Sequence, residues 1–245
     1  MSVYGFDERI PALTHKVEKH ETFSLLKKMK VEVHFTPCHT KGHVVYHACP
    51  LKKVEEPKTS GLNMNCDVLF SGDTLFVAGC GRFFEGTGTC LKGVSSGKKS
   101  NRGRNLLYCY YSQFLNDSFF SCSDGRWCVP TAAEQMTKNL QSIVSNLPLN
   151  TLLLPGHEYT LNNLMFAAHV EPGNACIKEK LQWALDRRLE GLPTIPSTLM
   201  EEVSYNPFLR LQSPEIRSHL GCDSECADEE VMRRLREAKD NFKGA

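Results

Sequence analysis

Residues 31–46 read Val31-Glu32-Val33-His34-Phe35-Thr36-Pro37-Cys38-His39-Thr40-Lys41-Gly42-His43-Val44-Val45-Tyr46. Val31, Val33 and Phe35 alternate with Glu32 and His34, the period-two pattern of a half-buried strand. Pro37 and Gly42 then break the strand. A second apolar run, Val44-Val45-Tyr46, starts at once, so His39 and His43 fall in a loop between two predicted strands. The same arrangement recurs downstream. Val68-Leu69-Phe70 runs into Ser71-Gly72-Asp73, and Leu152-Leu153-Leu154 into Pro155-Gly156-His157-Glu158. Three apolar strands thus each end in a loop bearing His or Asp, where sheet-based enzymes place their chemistry.

From residue 131 the period changes to that of helices. Thr131-Ala132-Ala133-Glu134 is a capping-box pattern. It opens a stripe of Met136, Leu140, Ile143, Val144 and Leu147 that Pro148 stops. Further stripes follow at Leu161, Leu164, Met165 and Ala168, at Ile177, Leu181 and Leu185, and at Val231, Leu235 and Phe242 in a highly charged tail. Strands first and helices later predict an α+β fold.

Composition narrows the function classes. The 245 residues are 41% apolar and 23% charged, enough to bury a core. Lys and Arg number 29 against 28 acids, a net charge of +1, which excludes a globally basic nucleic-acid binder. No apolar run reaches the roughly 18 residues of a membrane span. The opening MSVYGFDERIPAL lacks a signal-like apolar segment. The expectation is a cytoplasmic monomer with no nucleic-acid and no membrane partner. Cysteines number 11, an odd count without a C-x-x-C pair, so reduced thiols are expected rather than disulfides or a zinc knuckle. Residues 88–130 stand apart. Lys92, Lys98, Lys99, Arg102, Arg104 and Arg126 face only Asp117 and Asp124, and no apolar period is sustained. The segment is expected to be a disordered insertion, because its aromatics lack a spacing that would gather them on one surface.

Imidazole and carboxylate at strand ends suit zinc, iron or manganese. The stretches that hold them are also distinctive as text. TPCHTKGHVVY, FSGDTLFVAGCGRFFEGT, LPGHEYTLNNLMFAAHVEPGNA and PSTLMEEVSYNPFLR together resemble glyoxalase II, the hydroxyacylglutathione hydrolases of the metallo-β-lactamase superfamily. The resemblance covers most of the chain outside 88–130. It implies a partial metallo-β-lactamase αββα sandwich over 1–158, followed by a helical glutathione-binding domain over 159–245. The implied reaction is hydrolysis of the thioester S-lactoylglutathione, or another S-2-hydroxyacylglutathione, to glutathione and a 2-hydroxy acid. The implied cofactor is a pair of divalent metals.

By motif, His39 of H-T-K-G-H matches a ligand of one metal, Asp73 the bridging ligand, and His157 a ligand of the second metal. His43 matches a neighbour that binds neither. Arg82, Phe83 and Phe84 stand at the family's glutathione-contacting C-G-K-F-Y position, with Arg replacing Lys and Phe replacing Tyr. His157, Glu158, Tyr159, Arg236 and Lys239 complete the implied substrate contacts, the cations meeting glutathione's carboxylates. The family's chief metal motif, T-H-x-H-x-D-H, does not occur in these residues. Thr14-His15-Lys16-Val17-Glu18-Lys19-His20 imitates only its ends. The chain is therefore expected to represent the family without its N-terminal section, to bind one metal weakly or none, to show low or absent thioesterase activity and to be marginally stable. The alternative is a non-catalytic remnant or isoform that at most binds glutathione conjugates. The family's mitochondrial forms leave a second compartment open.

Overall fold

The computed structural model describes residues 2–51, 66–85, 120–121, 127–128 and 131–244. At its centre is a six-stranded sheet. Its members are β3 (Thr22–Leu25), β4 (Met29–Phe35), β5 (Val44–Pro50), β6 (Val68–Gly72), β11 (Leu152–Pro155) and β12 (Ser197–Thr198), in the order β12-β11-β6-β5-β4-β3. Pairings are antiparallel except β6 with β11, which run parallel. Their connection includes α1 (Ala132–Asn146), the kind of crossover a parallel pair requires. Three two-stranded ladders complete the β structure: β1 (Tyr4–Gly5) with β2 (His15–Lys16), β7 (Leu75–Phe76) with β8 (Gly79–Cys80), and β9 (Phe120–Ser121) with β10 (Trp127–Cys128). Of the 88–130 segment expected to be disordered, only β9 and β10 belong to the described residues.

Alternation decides which side of the sheet is covered. Val45, Leu69 and Leu153 are fully buried and join one apolar cluster with Met136, Leu140 and Ile143 of α1. The predicted stripe of α1 is thus its core face, and the Thr131 side chain caps it by accepting from Glu134 N at 3.2 Å. The cluster continues without a break across the expected 158/159 boundary. It takes in α2 (Thr160–Val170), α3 (Ala175–Leu189), α4 (Leu199–Tyr205), α5 (Pro214–His219) and α6 (Asp228–Asn241). On the opposite face, Val31, Val33 and Ala48 are buried. Phe6 there meets Phe35 at 4.8 Å, and Tyr4 stacks on Phe23 at 4.5 Å. Phe70, on the same face of central strand β6, is 48% exposed. Among the described residues there is one large sheet, so the second sheet of an αββα sandwich is not formed by them.

Candidate metal centre

Three strand-end loops converge at one edge of the sheet. His39 lies between β4 and β5, Asp73 follows β6, and His157 follows β11. The Asp73 carboxylate sits between the two imidazoles. Its Oδ2 is 3.1 Å from His39 Nε2 and its Oδ1 is 3.6 Å from His157 Nε2. The other nitrogen of His39, Nδ1, lies 3.0 Å from the Arg82 carbonyl. A carbonyl only accepts, so Nδ1 carries the proton and Nε2 is the nitrogen turned toward Asp73, the one a metal would take. Fixing one ring nitrogen to a carbonyl is how metal-binding imidazoles are oriented. The donors are therefore of the right kind for a zinc-class ion, with Asp73 able to offer an oxygen to each side.

His43 is the scaffold of this arrangement. It is half-buried, and desolvation, reinforced by nearby His39, pulls its pKa down to about 4. Its Nε2 accepts from the Asp73 backbone N–H at 3.1 Å, so Nδ1 holds the proton. That nitrogen is 3.1 Å from Thr36 Oγ1 and 3.0 Å from Thr74 Oγ1. With both nitrogens engaged, His43 has none to give a metal. Two glycines make the close approach feasible. Gly72 has φ +50°, and a Cβ there would lie 2.9 Å from His43 Nε2. A Cβ on Gly81 would lie 1.9 Å from the Asp73 carbonyl oxygen.

Around these residues the remaining expected positions divide into two groups. Phe84 is exposed and stands 5.1 Å from His39, and Tyr159 stacks on His157 at 5.0 Å. Arg82 Nε and Arg236 Nη2 both reach Asp240 Oδ1, at 3.2 and 2.7 Å. Arg236 Nη1 donates to the Cys80 carbonyl, whereas its buried Nε has no partner. Lys239 Nζ donates to the Asn162 carbonyl at 2.9 Å, and burial, with Arg236 beside it, lowers its pKa to about 8. Arg82, Arg236 and Lys239 thus form a cationic arc, tied to the histidines through the Arg82 carbonyl that meets His39. Asp240 and Asn162, which hold it, had no signal in the sequence beyond being polar residues in helical stretches. A shallow cleft lined by Tyr159, Asn162, Arg188 and Thr194 adjoins it.

The second group does not reach the arc. Phe83 packs against the core. Glu158 accepts from Thr194 N at 2.8 Å and Thr194 Oγ1 at 2.7 Å, anchoring the segment that leads to β12. His15 is tied to Glu21 at 2.8 Å. Cys38 is fully buried, and desolvation pushes its thiol up to about 12, which excludes a nucleophilic thiolate beside His39.

Comparison with known proteins assigns the scaffold. The family model described as hydroxyacylglutathione hydrolase C-terminus matches residues 158–242. A hydroxyacylglutathione hydrolase-like protein of Gallus gallus is 39% identical over 243 residues, covering 99% of this chain and 65% of that protein. The cytoplasmic hydroxyacylglutathione hydrolase of Arabidopsis thaliana is 36% identical over 245 residues, covering all of this chain and 72% of that protein. The chain belongs to the hydroxyacylglutathione hydrolase family. It spans about two thirds of the length of these relatives. Among solved structures, a metallo-beta-lactamase from Staphylococcus aureus aligns with TM-score 0.43 and 18% identity, over 96% of this chain and 48% of that one.

Several of the stretches that resemble the family prove to be architectural. Glu171, 3% exposed, receives Arg210 through both oxygens at 2.9 and 2.8 Å, with Ser213 and Asn174 also donating. That network binds the VEPGNA stretch to NPFLR. Asn206 donates to the carbonyls of Phe76 and Gly79, and Asn163 to that of Val77. The β7–β8 hairpin, which leads into Gly81 and Arg82, is thereby docked onto the helices.

Proposed function

We propose that this chain serves the hydrolysis of S-2-hydroxyacylglutathione thioesters, S-lactoylglutathione among them, to glutathione and a 2-hydroxy acid. The observation that carries the reading is the placement of Asp73 between His39 Nε2 and His157 Nε2, with the cationic arc alongside. His39, Asp73 and His157 would hold the metal, and a divalent ion bound there supplies a water of lowered pKa and Lewis-acid stabilisation of developing charge. The chain's own residues do the rest. His43 holds the Asp73 backbone in register while remaining neutral. The Arg82 carbonyl keeps the His39 tautomer that exposes Nε2. Arg82, Arg236 and Lys239 attract the glutathione carboxylates, and Tyr159 and Phe84 flank the reacting end with ring faces. The relative named cytoplasmic supports a cytoplasmic setting.

Turnover by these residues alone is slow in this reading, because T-H-x-H-x-D-H is absent from them and three ligands shared between two ions leave incomplete shells. One observation favours a second reading, binding of glutathione conjugates without turnover. His39, Asp73 and His157 do not converge on a single point. The one trio of ligand atoms within 4.8 Å of each other among the described residues lies elsewhere. Two assays on the purified chain separate the readings: S-lactoylglutathione hydrolysis with added zinc, and calorimetric titration with a non-hydrolysable S-alkylglutathione. Slow hydrolysis that Asp73→Ala abolishes supports the first reading, and binding with no hydrolysis selects the second. Turnover that survives Asp73→Ala, or no binding at all, removes the site from both.

A further inference from the structure

The sheet carries a second group of ligand-type side chains, away from the strand-end loops. Register creates it. Glu32 of β4 stands opposite His47 of β5, and His34 stands opposite Val45. Residues two apart on a strand share a face, so Glu32, His34 and His47 project to the same side, that of buried Val45 and Leu69. Their ligand atoms lie within 4.8 Å of one another. Glu32 Oε2 is 3.6 Å from His47 Nδ1 and 3.9 Å from His34 Nε2. Neither distance is a hydrogen bond.

Both nitrogens are accordingly buried without a hydrogen-bond partner, and the His47 side chain is only 7% exposed. Buried polar atoms are nearly always paired, and an orphan is costly. Two orphans aimed at one carboxylate oxygen are what a missing cation would satisfy. The far side of His47 points the same way. Its Nε2 is 3.1 Å from Asp67 Oδ2, so that nitrogen donates its proton and Nδ1 is left as a bare lone pair. A carboxylate behind an imidazole in this manner fixes and strengthens a metal ligand. Lys30 occupies the other Glu32 oxygen, leaving Oε2 for a single bond. Ligands about 2.0–2.1 Å from a tetrahedral ion stand about 3.3 Å apart, so small side-chain rotations suffice to close the site.

We propose that Glu32, His34 and His47 bind a zinc-class divalent transition ion, with Asp67 orienting His47 and solvent completing the shell, separately from His39, Asp73 and His157. Such an ion would clip β4 to β5. Its measurement requires silencing the other centre, so the full chain carrying Asp73→Ala is the reference protein. Zinc uptake is read by competition with a chromogenic chelator, cobalt(II) absorption reports the ligand type, and thermal melts report folding. The reference protein takes up one equivalent of zinc, which raises its melting temperature. Adding His34→Gln and His47→Gln weakens uptake by more than about 100-fold, and adding Asp67→Asn alone weakens it by about 10–100-fold, the usual cost of losing an orienting carboxylate. If the double His variant does not fold, Glu32→Gln, at a half-exposed position, carries the same expectation of loss. Zinc affinity that is equal with and without Glu32→Gln, or absence of uptake by the Asp73→Ala chain, overturns the site.

Discussion

The helical half of the molecule and the outer half of its sheet treat their polar groups in opposite ways. In the helices, the buried charges of Glu202, Glu171 and Arg217 are enclosed by donors or acceptors, and of buried Arg236 only Nε is left unpaired. Glu202, fully buried, accepts from Ser197 Oγ at 2.5 Å, Tyr205 Oη at 2.9 Å, Asn206 Nδ2 at 2.9 Å and the backbone N–H of Ala78 at 2.9 Å. Glu171 is equally enclosed. Arg217 is buried and donates to the carbonyls of Leu211, Asp223 and Cys226 and to Asp228. In the outer sheet, His34 Nε2 and His47 Nδ1 have no partner, and Phe70 exposes nearly half its surface on a central strand. A fully paired network is rigid and specifies one arrangement. The helices are thus a finished platform that fixes the Gly81–Arg82 loop and the cationic arc, whereas the strands bring groups that call for something further.

The largest test of this contrast is Glu202→Ala. It strands the Ser197 and Tyr205 hydroxyls and the Ala78 N–H at the junction of helix and hairpin, while Asn206 keeps the Phe76 and Gly79 carbonyls, each unpaired group costing about 1–3 kcal/mol less whatever relaxation recovers. The expected loss is about 4 kcal/mol, or a fall of about 8–16 °C in melting temperature for a chain of this size. Glu202→Gln keeps one acceptor oxygen and should fall about midway. A melt unchanged by Glu202→Ala would mean that the network is not what joins the two halves.

The same contrast explains how far the sequence could be read. The strands around 31–35, 44–46, 68–70 and 152–154 and the capped helix at 131 follow from period and turn chemistry, because each signal is local. His39, Asp73 and His157 could be grouped because each closes an apolar strand and because the family's stretches surround them. Glu32 and His34 gave the opposite impression. Alternating with Val31 and Val33, they look like the wet side of a strand, and only the pairing of β4 with β5 brings His47 against them. No local pattern encodes that register. Nor did sequence distinguish Glu158, which closes on Thr194, from its neighbours at the site, since G-H-E-Y is contiguous in the chain and divided in space. The short helices α4 and α5 were also silent, being too brief to show a stripe.

A smaller effect probes the cationic arc on the finished platform. Burial holds the Lys239 ammonium down to about 8, below the ordinary 10.5 of a lysine. It is charged below about pH 8 and neutral above, so its attraction for a glutathione carboxylate is present at neutral pH and lost as pH rises through that value. Affinity for an S-alkylglutathione should fall by about tenfold between pH 7 and 9.5, the value of one charge-assisted hydrogen bond of about 1.5 kcal/mol. Lys239→Met should bind weakly throughout and show a flat profile. A profile equally steep in Lys239→Met would assign the titration to another group, and the arc would then rest on Arg82 and Arg236.

The smallest effect belongs to the uncovered face. Phe70 lies opposite Tyr46 on a strand flanked by β5 and β11, a position where a ring is normally buried, and it is 48% exposed. Half of its apolar area is therefore already in water and contributes nothing to folding, so Phe70→Ser should cost no more than about 1 kcal/mol. Val33→Ser, on the same face but 1% exposed beneath the N-terminal segment, should cost two to three times as much, from burial of an unpaired hydroxyl added to lost packing. Paired urea melts decide between them. Equal losses would show that Phe70 is as deeply covered in solution as Val33, and the contrast between a finished helical platform and an open sheet face would then be confined to His34 and His47. A small loss for Phe70→Ser with improved solubility would locate the open surface on the side of the sheet away from the helices.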